Sequence, residues 1–74
     1  MEEVQHLSVL DVVALLADVS NHGLVRGQVG TVVEELSDDT VEVEFSDDDG
    51  RTYAEVALPK DLLLVLRHRP VRAA

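Results

Sequence analysis

The stretch TVEVEFSDDDGRTYAEV most tightly constrains the fold of this chain. Val41, Val43 and Phe45 alternate with Glu42 and Glu44, so a strand here has one apolar side and one acidic side. The following SDDDGR places an Asp-Gly pair before a second alternating run, which is a strong signal for a β-hairpin. We therefore predict an antiparallel hairpin that buries Phe45 and turns its glutamates towards solvent.

Valine-rich runs on either side of the hairpin extend it into a sheet. TVVEEL predicts the strand before the hairpin, and LLLVLR predicts the last strand. The run LDVVALLADV, residues 10–19, is either an interior strand buried on both faces or a short helix, and the adjacent Val12 and Val13 favour the strand. Pro59 ends the fourth strand, and PKDLL is suited to a single helical turn with Asp61 near its positive end.

Together these segments predict an all-β domain. The specific prediction is a small SH3-like antiparallel β-barrel of about five strands, with one short helical turn before the last strand. The alternative is a helix over residues 10–19 packed on a three- or four-stranded sheet. A chain of 74 residues makes one domain with a thin core. We place an N-terminal lead-in of weak order at residues 1–9, the barrel domain at residues 10–67 and a flexible basic tail at residues 68–74.

The glycines between the first two strands allow two interpretations. Gly23, Gly27 and Gly30 flank Arg26, and exposed backbone amides beside an arginine can bind an anion. A phosphate loop normally opens a helix, however, and here a valine-rich strand follows. We therefore predict that these three glycines, and Gly50 of the hairpin, form turns with positive φ angles.

Charge is distributed unevenly along the chain. Residues 1–66 carry fifteen acidic and three basic residues, a net charge of −12, whereas Arg67, Arg69 and Arg72 lie in the last eight residues. Because the acidic body repels phosphate backbones, nucleic-acid binding is disfavoured, and a protein partner with a basic surface is the natural complement. The chain also lacks cysteine, a long apolar run and a basic leader, so we predict a cytoplasmic protein without membrane association.

The polar residues do not assemble a recognisable catalytic or metal centre. Asp47 and Asp49 with the later Glu55 match part of a calcium loop, but no flanking helices are predicted, and a solvated hairpin turn explains them. The histidines have no ligand spacing, and the serines lie in turn-like contexts without an evident base. We expect no enzymatic activity, no cofactor and no metal. The histidines are His6, His22 and His68.

An acidic surface is the strongest candidate for a binding site. The acids of the second and third strands can form one continuous negative face, and their charge exceeds what solubility needs. Tyr53 is either an interface anchor or a half-buried barrel residue. We predict a non-enzymatic protein-binding module, with nucleic-acid binding and self-assembly through edge strands as alternatives. The predicted partner-binding residues are Glu34, Glu35, Glu42, Glu44 and Tyr53, with Asp38 and Asp39 on the same face.

Residues 10–66 resemble one bacterial family over nearly the whole predicted domain. DVVALL, GLVRGQVGTVVE, VEF, GRTYA and LP occur in the order and at the spacing found in the domain-of-unknown-function 4926 family. The resemblance implies an SH3-like fold. Such proteins are often encoded beside toxin-like or uncharacterised partners, so it also implies an antitoxin, immunity or accessory role.

A more distant resemblance concerns the G-x-x-G-x-V pattern of Gly27, Gly30 and Val32. It is similar to the KOW motif of ribosomal and transcription proteins, and to SH3-like accessory subunits of photosystem I, ferredoxin–thioredoxin reductase and nitrile hydratase. The KOW resemblance implies a nucleic-acid or ribosome-associated role for Arg26, Arg51 and the arginine tail. Most basic residues that KOW domains use on RNA are missing here.

Overall fold

The structure is a computed structural model that describes residues 6–68 and residue 70. The predicted flexible tail, residues 68–74, therefore lies outside the described residues except for His68 and Pro70. The described chain forms β1 (Val12–Leu15), β2 (Val29–Glu35), β3 (Thr40–Ser46), β4 (Thr52–Pro59) and β5 (Leu63–Val65), with 3-10 turns at Ser20–His22 and Lys60–Leu62.

All five strands belong to one antiparallel sheet in the order β4-β3-β2-β1-β5. Strands β1 to β4 pair in chain order, and β5 returns to pair with the other side of β1, which is consistent with a small barrel-like fold. The all-β prediction is confirmed. So is the helical turn, because Lys60–Leu62 follows Pro59 and leads directly into β5.

Residues 10–19 are the segment for which the sequence left strand and helix open. Strand β1 forms between β2 and β5, so the helix alternative is wrong. Val13 and Leu15 are buried, whereas Val12 and Ala14 are partly exposed on the outer side. The strand is interior as predicted, but it is fully buried on one face only, because no second layer of the described chain covers its outer side.

The core draws side chains from every strand and from the segments between and before them. Phe45 is fully buried, as predicted. Leu7 belongs to the predicted lead-in and is only 1% exposed, whereas residues 1–5 of that lead-in lie outside the described residues. The Leu10 N–H donates to the Val32 carbonyl oxygen at 2.7 Å and fastens this segment to β2. The buried core residues are Leu7, Val13, Leu15, Leu24, Val32, Val41, Val43, Phe45, Val56, Leu58 and Leu63.

Gly23, Gly27 and Gly50 lie where the sequence predicts turns. Their φ angles are 69°, 93° and 83°, a region of backbone conformation that residues with side chains rarely adopt. Gly27 is the third residue of a turn that the Gln28 N–H closes by donating to the Val25 carbonyl oxygen at 3.1 Å. The loop between β1 and β2 is therefore built from hydrogen-bonded turns.

Gly30 does not lie in a turn, and that prediction is wrong. It lies inside β2, where it pairs with Val13 of β1 and Phe45 of β3. A Cβ atom at this position would lie 2.7 Å from Val43 Cγ1 and 2.9 Å from the Glu44 carbonyl oxygen. The close approach of β3 therefore requires a glycine here, and no positive φ angle is involved.

Candidate functional site

Four glutamates lie together on the outer side of the sheet, and we call them the acidic ladder. Glu34 of β2 lies directly beside Glu42 of β3. At the next outward position along β3, Glu44 lies directly beside Glu55 of β4. Because side chains alternate across a strand, all four project from the side opposite the core. The structure thus brings together three of the predicted glutamates and adds a fourth.

Electrostatic repulsion is built into the acidic ladder. Partial burial raises the pKa of Glu42 above its ordinary value, and the neighbouring carboxyls of Glu55 and Glu34 raise it further. Like charges placed directly opposite each other in a sheet are destabilising. No basic side chain of the described residues forms an ion pair with the ladder. The ladder is therefore a concentrated negative surface without a cation of its own among those residues.

Glu35 lies apart from the acidic ladder, although the sequence assigned it to the same face. A β-bulge at Val33 changes the phase of β2, so that Glu35 lies opposite Val41, whose side chain faces the core. Its Oε2 atom is 3.5 Å from Nζ of Lys60. The expectation of one face containing Glu35 is therefore wrong, because the bulge moves this carboxylate to the other side of the sheet.

Asp38 and Asp39 lie in the turn between β2 and β3, at the end of the sheet. The hydroxyls of Ser37 and Thr40 donate to Asp39 Oδ1 at 3.0 and 3.1 Å, and these two bonds lower the pKa of the Asp39 carboxyl. The Lys60 backbone N–H also donates to the Asp39 carbonyl oxygen at 2.8 Å. Asp39 therefore organises the turn and does not extend the acidic ladder.

Glu55 belongs to the acidic ladder, although it is not among the partner-binding residues predicted from the sequence. The sequence does not show directly which face of the sheet Glu55 lies on, because the preceding Tyr53 and Ala54 are adjacent and both apolar. Tyr53 is the extra residue at a second β-bulge, since Phe45 pairs with Ala54 and the next pair is Ser46 with Thr52. The available signal was the later alternation, in which the buried Val56 and Leu58 imply that Glu55 faces outwards.

Tyr53 is half-exposed and leans towards the core side. Its ring centroid lies 6.4 Å from that of Phe45, and the two planes meet at 40°. Gln28 Nε2 donates to the Tyr53 hydroxyl oxygen at 3.1 Å. These two contacts hold the ring on the core side of the sheet, and they separate Tyr53 from the acidic ladder.

A second outer surface is apolar, and it was not predicted from the sequence. Leu64 of β5, Ala14 of β1 and Val29 of β2 are aligned across three strands, and we call them the apolar row. Leu64 and Val29 are 48% and 46% exposed. Each residue is unremarkable in its own segment, so only the register shows that they are neighbours.

The aspartates of the hairpin act as turn residues. Asp47 Oδ1 accepts hydrogen bonds from the backbone N–H groups of Asp49 and Arg51, both at 2.9 Å. Across residues 6–68 and 70, no group of three or more His, Cys, Asp or Glu side chains is placed to hold a metal ion. The described chain also has no helix long and apolar enough to cross a membrane.

Comparison with known proteins agrees with the resemblance seen in the sequence. No curated protein and no solved structure matches the chain. A family model described as Domain of unknown function (DUF4926) matches residues 9–65, which is well over half of the chain and includes all five strands. The chain belongs to the DUF4926 family.

Proposed function

We propose that this protein is a non-enzymatic, cytoplasmic protein-binding module of the antitoxin, immunity or accessory-subunit type. Its acidic ladder docks on a basic surface of a partner protein. The observation that supports this most directly is the pairing of Glu34 with Glu42 and of Glu44 with Glu55, without a compensating cation among the described residues.

The paired glutamates of the acidic ladder repel each other in the free protein. Cross-strand pairs of like charge reduce the stability of a sheet, so this arrangement does not help the chain to fold. A partner that supplies lysine or arginine side chains would relieve the repulsion and bring the pKa of Glu42 back towards its ordinary value. Relief on binding adds to the attraction between the partner's cations and the carboxylates.

The net charge of the chain supports the same mode of association. Its formal charge of −9 attracts basic surfaces over distances of about a Debye length, roughly 8 Å at physiological ionic strength. Such steering raises association rates and falls with added salt. The same charge opposes binding to nucleic-acid phosphates, and for this reason we favour a protein partner.

The test compares two variants that remove three negative charges each. The ladder variant should lower the affinity for a labelled hexalysine peptide by about tenfold at low salt and flatten its salt dependence. The tip variant, altered only at exposed turn positions, should lose about threefold or less, because it changes net charge but leaves the ladder intact. The ladder variant is Glu42→Gln, Glu44→Gln, Glu55→Gln, and the tip variant is Asp38→Asn, Asp48→Asn, Asp49→Asn.

The same two variants should then be used to capture the natural partner from an extract of the source organism. The proposal requires a protein that the wild type and the tip variant retain and the ladder variant loses. If both variants lost hexalysine affinity equally, net charge alone would explain the loss, and the proposal would be overturned. Salt-sensitive binding of single-stranded RNA to the wild type would favour the nucleic-acid alternative instead.

A further inference from the structure

Strand β4 is an exposed edge of the sheet. It lies at the end of the strand order, and no strand of the described residues pairs with its outer side. It is also the longest strand, Thr52–Pro59. One end of β4 is protected against pairing with another strand by the β-bulge at Tyr53, and the other end by Pro59. Residues 54–58 between them carry neither a lysine nor a proline.

The direction of the free backbone groups follows from the register. The Lys60 N–H donates to the Asp39 carbonyl oxygen, so this antiparallel pair is a hydrogen-bonded one. Because hydrogen-bonded and non-hydrogen-bonded pairs alternate, Glu55 and Ala57 belong to non-hydrogen-bonded pairs with β3. Their N–H and C=O groups therefore point away from β3, towards the free edge. Pro59 is the next residue of β4 whose backbone nitrogen faces the free edge, so its lack of an N–H removes no hydrogen bond to β3.

The side chains beside this edge specify the charge of an added strand. An added residue opposite Glu55 would continue the row that contains Glu44, so a basic side chain would be placed against two carboxylates. An added residue opposite Ala57 would continue the row of Glu42 and Glu34. Because Ala57 is small, a long lysine or arginine side chain can pass over it and reach Glu42.

We propose that the β4 edge binds an extended basic segment of the partner protein as a sixth strand of the sheet. The segment carries lysine or arginine at two positions separated by one residue. That intervening residue is apolar, because it lies on the core side next to Val56. The backbone of Glu55 and Ala57 supplies the hydrogen bonds, and the acidic ladder selects the charge. This proposal rests on the proposed function and deepens it.

A second copy of this chain is a poorer occupant of the same edge. Pairing two β4 edges would place the two copies of Glu55 on adjoining strands of one continuous sheet, next to both acidic ladders. Each chain already has a formal charge of −9, so the approach is repulsive as well. A basic strand removes both costs.

The test uses a synthetic peptide, acetyl-Lys-Val-Arg-Val-Lys-amide, as the probe. Ala57→Pro removes the outward N–H at the centre of the edge and leaves the bonds to β3 intact, so affinity should fall by about tenfold. Ala57→Ser keeps the N–H and should bind within about twofold of the wild type. Calorimetry gives the affinities, and circular dichroism reports whether each variant folds.

A second measurement needs no variant of the protein. Methylating the amide nitrogens along one edge of the probe peptide keeps its charge and removes the backbone donors of that edge. Methylation of the edge that faces β4 should lower the affinity for wild-type protein by about tenfold, whereas methylation of the opposite edge should leave it within about twofold. This arm remains informative if Ala57→Pro does not fold.

The outcomes separate this inference from the proposed function. In one outcome, neither Ala57→Pro nor methylation changes the affinity for the probe peptide, but the ladder variant does not bind it. That result overturns strand addition and retains docking on the acidic ladder. If the ladder variant also binds the peptide with unchanged affinity, both strand addition and docking on the acidic ladder are overturned. A dimer that sedimentation detects in the wild type and not in Ala57→Pro, without peptide binding, would assign the edge to a second copy and overturn this inference.

Discussion

The acidic ladder and the apolar row occupy equivalent outward positions of one sheet, yet their chemistry is opposite. Strand β2 contributes to both, with Val29 in the apolar row and Glu34 in the acidic ladder. At the β1 side, Leu64, Ala14 and Val29 are apolar cross-strand neighbours, and pairs of this kind stabilise sheets. At the β3 side, the glutamate pairs oppose folding. The comparison shows that the outer surface is divided into one part whose side chains support the sheet and one part whose like charges destabilise it.

The largest expected effect comes from the strand that joins the two parts. Gly30→Ala would place a Cβ 2.9 Å from the Glu44 carbonyl oxygen, so β3 must move away from β2. We expect the free energy of unfolding to fall by about 1–3 kcal/mol, measured by urea denaturation followed by circular dichroism. Thr31→Ser, at the neighbouring outward position, should cost less than about 1 kcal/mol. Equal losses would contradict the close approach of the two strands.

A smaller effect should distinguish the two parts by charge. Glu44→Gln and Leu64→Lys each change the net charge by +1, but they lie three strand spacings of about 4.8 Å apart. Glu44→Gln should lower the affinity for hexalysine by about threefold at physiological salt, because docking on the acidic ladder would place this carboxylate against the peptide. Leu64→Lys should change it by less than about half as much, because screening acts beyond roughly 8 Å. Fluorescence anisotropy measures both, and a stronger effect of Leu64→Lys would reverse the assignment.

The smallest effect is a pH dependence confined to the acidic ladder. The pKa of Glu42 is raised in the folded state, so its protonated form is favoured there, and the repulsion present at neutral pH is relieved as pH falls through that raised pKa towards the ordinary value. Glu42→Gln should therefore raise the thermal midpoint at pH 7. This gain should shrink steadily as the pH is lowered.

Glu35→Gln is the matched control for this measurement. It removes a carboxylate from the same strand region, but that carboxylate lies 3.5 Å from the Lys60 ammonium. Its midpoint at pH 7 should be unchanged or lower than that of the wild type. A gain from Glu35→Gln equal to that from Glu42→Gln would show that net charge, and not the geometry of the ladder, governs stability.

Much of the fold could be predicted from the sequence because its signals are local. The alternation of Val41, Val43 and Phe45 with glutamates identifies β3, and Pro59 followed by KDL identifies the helical turn. Gly27 and Gly50 likewise lie in short segments whose composition indicates turns. In each case, neighbours within a few residues determine the conformation.

The candidate site was predicted less completely, because its composition depends on how strands align. The extra residue at Val33 turns Glu34 outwards beside Glu42 and turns Glu35 to the core side, and the extra residue at Tyr53 brings Glu55 into line with Glu44. A bulge inverts the side-chain phase of everything beyond it, and no local pattern around Val33 indicates one. Leu7 was missed for a related reason, since its burial depends on contacts with distant strands.

The amino-acid sequence by itself determined that this chain forms pleated strands, that their turns fall at Gly27 and Gly50, and that one side of β3 is acidic. Those properties follow from periodicity, backbone preference and charge, which act within a single segment. Only the tertiary structure decided which carboxylates meet, that Gly30 lets β3 approach β2 closely, and that Glu55 and Ala57 lie at a free edge. These are properties of register, and register arises from packing all five strands against one core.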